Sequence, residues 1–158
     1  MPSTKKTSSA SASLFDSNVW VGLTFTAHPS YQTAIATLEE HTIAKPAIFC
    51  RATEQSFLRL ASTPALLRQY HNAGLTNADI VRILERLLDL NNIAVATEPE
   101  PTRALWLKLA GTSAASPKLW MDAYLAAFAI AAHLRFVTFD TDFRQFQPHG
   151  LSLQLLQA

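Results

Sequence analysis

Several acidic residues in this chain directly follow or precede hydrophobic segments. Asp16 follows the apolar pair Leu14 and Phe15, Glu54 lies one helical turn beyond AIFC, and Asp122 precedes the run AYLAAFAIAA. Asp140 and Asp142 follow the segment FVTF. Two carboxylates about 5 Å apart repel by roughly 3 kcal/mol at an effective dielectric constant near 20. If these acids converge, they therefore need protonation or a cation.

The other side chains of the sequence favour a hard divalent cation. Cys50 is the only cysteine, and the five histidines show no HxxxH spacing, so the usual ligands of a zinc centre are missing. Oxygen ligands without sulfur or clustered imidazole indicate Mg²⁺ or Mn²⁺. Such an ion activates water and offsets charge during hydrolysis of a phosphodiester, so phosphodiester hydrolysis is the chemistry that these residues indicate.

Each acid also has an ordinary structural interpretation. Asp16 suits a polar turn, and Glu54 suits a solvated position on a helix. Asp122 suits the first turn of a helix, where the helix dipole favours negative charge, and Asp140 suits a helix cap. The convergence of all four positions at one edge of the predicted sheet is what favours a site.

Hydrophobic strands and amphipathic helices alternate along the chain and predict an α/β fold. The apolar run Leu14, Phe15, Val19, Trp20 and Val21, broken by polar residues 16–18, predicts a buried strand that ends in a polar turn. Later strands are expected over residues 47–50, 93–97, 136–139 and 151–155. Helices are expected over residues 29–41, 52–61, 64–72, 76–90, 102–110 and 122–134. Because no hairpin signals join the strands, a mostly parallel sheet with helices on both faces is predicted.

The composition excludes several classes of protein. With 13 Lys and Arg against 12 Asp and Glu, the net charge of +1 excludes binding of nucleic acid through charge alone. The four glycines are far apart, so there is no phosphate-binding loop. No membrane span is predicted, and the lone cysteine fits a reducing, cytoplasmic location. Residues 1–13 are expected to be a disordered arm, and residues 14–158 a single domain.

Four segments carry a resemblance to a known family. In their order and spacing, LFDSNVWVGL, TEQSFL, WMDAYLAAFA and VTFDTDFRQF resemble the motifs of PIN-domain ribonucleases, closest to the VapC-type toxins of bacterial toxin and antitoxin pairs. The resemblance extends from about Leu14 to the C-terminus and implies a PIN-like three-layer α/β fold. It also implies a catalytic and metal-binding quartet, two polar supports and one additional acid: Asp16, Glu54, Asp122 and Asp140, then Asn18 and Thr138, then Asp142.

The resemblance implies a function as well as a site. The expected activity is that of a Mg²⁺- or Mn²⁺-dependent endoribonuclease, the toxin of a type II pair, with RNA as substrate and an antitoxin protein as partner. The inserted helical pair around residues 66–90 would be a clip-like extension that contacts the antitoxin or a second copy. A homodimer is predicted, with Ile80, Leu84 and Leu87 offered as apolar interface residues.

Two other functions remain open from the sequence. One is a non-catalytic PIN-like module that binds RNA or protein, and the other is a metal-dependent phosphomonoesterase. Arg51, Lys118 and Arg144 are candidates to guide the RNA backbone, although each also suits a surface ion pair. Asp142 is expected to matter less than Asp140, and a role as a helix cap is an alternative for it.

Overall fold

A five-stranded parallel sheet forms the centre of the protein in the computed structural model, which describes residues 11–158. The strands are β1 (Ser13–Phe15), β2 (Ala47–Phe49), β3 (Ile93–Val95), β4 (Arg135–Thr138) and β5 (Leu153–Leu155). Their order is β3-β2-β1-β4-β5, and all neighbouring strands are parallel. The predicted mostly parallel sheet is confirmed. The strand order reverses between β1 and β4, and open sheets bind ligands beyond the carboxyl ends of strands at such a point.

Helices cover both faces of this sheet, which confirms the predicted three-layer arrangement. One face carries α1 (Ser17–Thr24), α2 (Tyr31–Glu39), α3 (Arg51–Ala61), α4 (Pro64–Gln69) and α5 (Asn77–Leu88). The other carries α6 (Thr102–Ala110), α7 (Pro117–Ala131) and the 3₁₀ segment Thr141–His149. Alternate strand residues point to opposite faces, so Leu14 enters one core and Phe15 the other. Within residues 11–158, no helix combines the length and hydrophobicity needed to cross a membrane.

The first strand is shorter than its apolar run predicts. Val19, Trp20 and Val21 lie in α1, so their assignment to the strand was wrong. Asp16 begins this helix as its N-cap, because its side chain accepts a hydrogen bond from the Ser17 amide at 2.7 Å. The apolar residues are buried by helix packing instead: the Trp20 ring stacks on Phe49 with centroids 3.7 Å apart.

Helix α7 begins at Pro117, before the predicted start at Asp122. Proline is favoured at the first helical position, where its missing N–H is not needed. Asp122 therefore lies in the second turn, one turn beyond Lys118 and on the same side of the helix. The interpretation of Asp122 as a residue of the first turn was wrong. Small buried residues further along allow close packing on the sheet: Ala123, Ala126, Ala127 and Ala129.

Strand β1 begins inside the predicted disordered arm. Ser13 is buried and is paired with Ala47 and Arg135, so its assignment to the arm was wrong. Its hydroxyl lies 3.0 Å from Nε2 of His41, and this contact together with the strand pairing compensates for the cost of ordering the residue. Residues 1–10 of the predicted arm lie outside the described residues.

The helical pair between β2 and β3 is present as predicted. Thr76 caps α5 and forms a reciprocal capping box with Asp79. However, Ile80 and Leu84 are buried in the core of the same chain, and Leu87 packs against that core. The prediction that these three residues are surplus to the core was wrong, because they cover one face of the fold.

Neighbouring residues of α5 provide a matched test of this packing. Ile80 is 1% exposed and Val81 is 44% exposed. Ile80→Ala is expected to lower the free energy of unfolding by about 2–4 kcal/mol, because it leaves a cavity. Val81→Ala is expected to lower it by less than about 1 kcal/mol. Chemical denaturation of both variants makes the measurement, and equal losses would contradict the assigned orientation of α5.

Candidate active site

Thr138 joins the ends of the neighbouring strands β1 and β4. Its hydroxyl donates to Oδ2 of Asp16 at 2.7 Å and accepts from the Asp140 amide at 3.0 Å. It also accepts from Nδ2 of Asn18 at 3.2 Å. The single donor and both acceptor positions of the Thr138 hydroxyl are thereby used. The two predicted polar supports therefore contact each other, and both contact residues that follow β1 or β4.

Asn18 fixes helix α1 to the segment after β4. Its Nδ2 donates to Thr138, and its Oδ1 accepts from the Phe139 amide at 3.4 Å. Asp16 lies directly before this helix and is only 7% exposed. Its Oδ1 accepts a hydrogen bond from the Ser17 amide, and its Oδ2 accepts one from the Thr138 hydroxyl. These two bonds fix the orientation of the carboxylate.

Three further acids form a compact group beside this network. Asp122, Asp140 and Asp142 each offer one carboxylate oxygen, and these oxygens all lie within 4.8 Å of one another. Lys118 Nζ lies 3.1 Å from Asp140 Oδ2 and 3.5 Å from Asp122 Oδ2, and it also donates to Asp142 Oδ2. We refer to Asp122, Asp140 and Asp142 as the acid cluster. Its three negative charges face one ammonium group, so an excess of negative charge remains.

Asp140 has a structural role in addition to its place in the acid cluster. Its Oδ1 accepts from the Asp142 amide at 2.9 Å and caps the 3₁₀ segment, while Oδ2 faces Lys118. The capping interpretation of Asp140 is therefore confirmed, and the same residue also belongs to the acid cluster. Asp142 lies in the first turn of that segment and is not its cap, so the alternative that assigned it this role was wrong.

Glu54 occupies a different environment. It lies in the first turn of α3 and is 8% exposed, and its Oε2 is buried without a hydrogen-bond donor. Arg51 Nη1 lies 3.2 Å from this oxygen. Among residues 11–158, the group of three acids whose oxygens all lie within 4.8 Å of one another does not include Glu54 or Asp16. The structure thus brings three of the five predicted acids into contact range and connects Asp16 to Asp140 through Thr138.

Burial and mutual repulsion raise the pKa of two acids in this region. For Asp16, burial raises the pKa most, while the Thr138 and Ser17 hydrogen bonds oppose it and the charge of Asp122 adds to it. For Asp122, burial is again the largest cause, and the charges of Asp140 and Asp142 add to it. Lys118 opposes this increase. Burial and neighbouring negative charge thus disfavour the ionised form of both acids.

Lys118 is the site residue whose position the sequence analysis did not find. The sequence alone indicates Lys118 only as a guide for the RNA backbone or a surface ion-pair partner. Lys118 and Asp122 have the i, i+4 spacing that places two side chains together on a helix. That signal was hidden because the helix was predicted to begin at Asp122.

The residues present suit a hard divalent cation. All ligand atoms of the acid cluster are carboxylate oxygens, the type that Mg²⁺ and Mn²⁺ prefer. The cluster keeps excess negative charge beside Lys118. The oxygen ligands and the excess charge of the acid cluster fit a site that is completed by a cation.

Comparison with known families identifies the chain. The family model of the PIN domain matches residues 13–147. The chain belongs to the PIN domain family. This PIN-domain protein is also 39% identical over 146 residues to Ribonuclease VapC41 of Mycobacterium tuberculosis, covering 90% of this chain and 97% of that protein. The resemblance recognised from the four motifs is confirmed.

Solved structures confirm the fold of this PIN-domain protein. VapBC2 from Rickettsia felis, bound to a DNA fragment from their promoter, matches with a TM-score of 0.59 and 14% identity, covering 91% of this chain and 98% of that chain. VapBC-1 from nontypeable Haemophilus influenzae matches with a TM-score of 0.57 and 15% identity, covering 90% and 96%. FitAcB from Neisseria gonorrhoeae matches with a TM-score of 0.54 and 24% identity, covering 89% and 94%.

The Thr138 network can be tested by removing one hydroxyl group. Thr138→Val keeps the shape of the side chain but leaves the Asp140 amide and Asn18 Nδ2 without their acceptor. We expect a loss of about 1–3 kcal/mol in unfolding free energy, because these donors are at least partly buried. Thr138→Ser keeps the hydroxyl and serves as the control. A valine variant as stable as the serine variant would show that the network does not hold the strand ends together.

Proposed function

We propose that this PIN-domain protein is an endoribonuclease that hydrolyses RNA phosphodiester bonds with the help of Mg²⁺ or Mn²⁺. The observation that carries the proposal is the acid cluster, with its oxygens within 4.8 Å at the edge of the sheet where β4 ends. Its carboxylates hold more negative charge than Lys118 neutralises. The name of the relative, Ribonuclease VapC41, supports RNA as the substrate class.

In this proposal the acids have graded roles. Asp122 and Asp140 would hold the cation directly, with Asp16 beside them and Asp142 and Glu54 as outer acids. The bound ion would lower the pKa of a water molecule and offset charge on the phosphate oxygens. Thr138 and Asn18 hold the carboxylate of Asp16 and the backbone of Asp140 in fixed positions. This preorganisation reduces the rearrangement that substrate binding would require.

We also propose the cellular setting of a toxin. The named pairs VapBC2 and VapBC-1 support an antitoxin partner, and a small protein with a DNA-binding N-terminus is expected from the gene immediately upstream. A homodimer in the cytoplasm remains part of this proposal. The apolar side chains exposed on the chain, such as Trp120 and Met121, are now better candidates for its interface than the buried Ile80 and Leu84.

Cleavage of RNA by substituted proteins tests the proposed site. Asp122→Asn or Asp140→Asn is expected to reduce the cleavage rate by about 100-fold or more, because each change removes a charged ligand. Glu85→Gln removes an exposed acid from α5 and serves as the control with unchanged cleavage. The assay uses an internally labelled single-stranded RNA with Mg²⁺ or Mn²⁺, and with a chelator.

Three outcomes would contradict the proposal. Undiminished cleavage in chelator would exclude the metal-dependent mechanism. Release of terminal phosphate without internal cuts would indicate a phosphomonoesterase. Binding of RNA without cleavage, with every metal tested, would indicate a non-catalytic module.

The same assay ranks Asp142 against Asp140. The Asp140 side chain is 30% exposed and is fixed by its capping bond, whereas the Asp142 side chain is 56% exposed. Asp142→Asn is therefore expected to slow cleavage less than Asp140→Asn, because a more mobile ligand contributes less to a preorganised site. An equal or larger loss from Asp142→Asn would reverse this ranking.

A further inference from the structure

One ammonium group is shared by all three carboxylates of the acid cluster. Lys118 Nζ contacts Oδ2 of Asp122, Asp140 and Asp142. The contacts come from three different places: one turn further along α7, the end of β4, and the 3₁₀ segment. A cation at this point offsets the repulsion among the acids. It therefore occupies the place where the proposed function requires a divalent ion.

The position of Lys118 along its helix does not favour helix stability. Lys118 is the second residue of α7, in the first turn, where the helix dipole disfavours a positive charge. Its side chain nonetheless folds toward the acid cluster. The attraction of the carboxylates, rather than the helix, accounts for this conformation.

The lysine can leave the cluster without a change of fold. Its side chain is 58% exposed, and its four-carbon stem is flexible, so the ammonium group can move into solvent. Asp122 and Asp140 are more enclosed, with side chains 13% and 30% exposed. The acids therefore stay in place when the lysine moves.

We propose that Lys118 is an internal counterion that offsets part of the negative charge of the acid cluster in the metal-free protein and competes with the divalent cation for the same carboxylates. The proposal rests on the proposed function, because it presupposes a metal site at these acids. Like charges repel, so the ammonium and a divalent ion do not share the same oxygens. Lys118 thereby raises the metal concentration at which the site fills, and a fall in free Mg²⁺ returns the protein to the form in which Lys118 contacts the acids.

Titration of the full chain with Mn²⁺ in a calorimeter tests this proposal. The proteins compared are the unsubstituted chain, Lys118→Met, Lys118→Gln and Asp122→Asn. Lys108→Met removes one exposed lysine from α6 and controls for the change in net charge. Both Lys118 variants are expected to bind Mn²⁺ about tenfold or more tightly than the unsubstituted chain. Lys108→Met is expected to leave the affinity within about twofold of the unsubstituted chain, because surface charges at a distance are screened by salt.

Thermal unfolding gives a second readout that does not depend on cleavage. Without metal, Lys118→Met is expected to unfold at a lower temperature than Lys108→Met, because the acid cluster loses its counterion. With saturating Mn²⁺, the increase in unfolding temperature is expected to be larger for Lys118→Met than for the unsubstituted chain, because tighter binding stabilises the native state more.

The outcomes separate this proposal from the proposed function. If Asp122→Asn abolishes Mn²⁺ binding but both Lys118 variants bind it no more tightly than Lys108→Met, the counterion proposal is overturned and the metal site stands. If neither the unsubstituted chain nor the Lys118 variants bind Mn²⁺, the metal-dependent function and the counterion proposal both fail. Tighter binding in both Lys118 variants, lost again when Asp122→Asn is added, supports the proposal.

Discussion

Carboxylates with oxygens within 4.8 Å of one another repel strongly, and the arrangement around Asp122, Asp140 and Asp142 accommodates that repulsion. Lys118 supplies one positive charge at the centre of the group. Partial burial raises the pKa of Asp122, and the Lys118 ammonium group opposes this increase. A folded chain gains no stability from three such neighbours alone. Their concentration at one place is the observation on which the proposed binding of a cation rests.

The parallel sheet explains why these acids meet. Residues that follow β1 and β4 leave the same edge, and these strands are neighbours where the strand order reverses. Thr138 then links Asp16 to the backbone of Asp140, and Asn18 links helix α1 to the same point. The stacking of Trp20 on Phe49 holds α1 against the sheet. Core packing and site geometry are thus connected through a single short helix.

Much of this arrangement can be predicted from the sequence. Strand and helix alternation predicts the parallel sheet, and the acids after Phe15 and Phe139 follow from that topology. Helix α1 was missed because its apolar residues are mostly buried, so they show no amphipathic pattern and look like a strand. Ser13 was placed in a disordered arm because its strand partners and His41 are distant in sequence. The position of Lys118 at the centre of the acid cluster depends on where α7 begins. The first and last residues of a helix are the hardest part of it to predict from a sequence pattern.

Some of the acids come together through local sequence and others only through tertiary packing. Asp140 and Asp142 are two residues apart, so their proximity is local, whereas the approach of Asp122 depends on how α7 packs against β4. Glu54 was grouped with the other acids by topology and by resemblance. The structure places its carboxylate beside Arg51 and outside the acid cluster, because the direction of this side chain is not evident from the sequence pattern.

The central claim, that the acid cluster binds a divalent ion, is tested most directly by anomalous scattering from a crystal of the protein soaked in Mn²⁺. The account predicts a manganese peak within coordination distance of Asp122 and Asp140, with the Lys118 ammonium displaced from both. Fully ordered acids with no peak between them would contradict it.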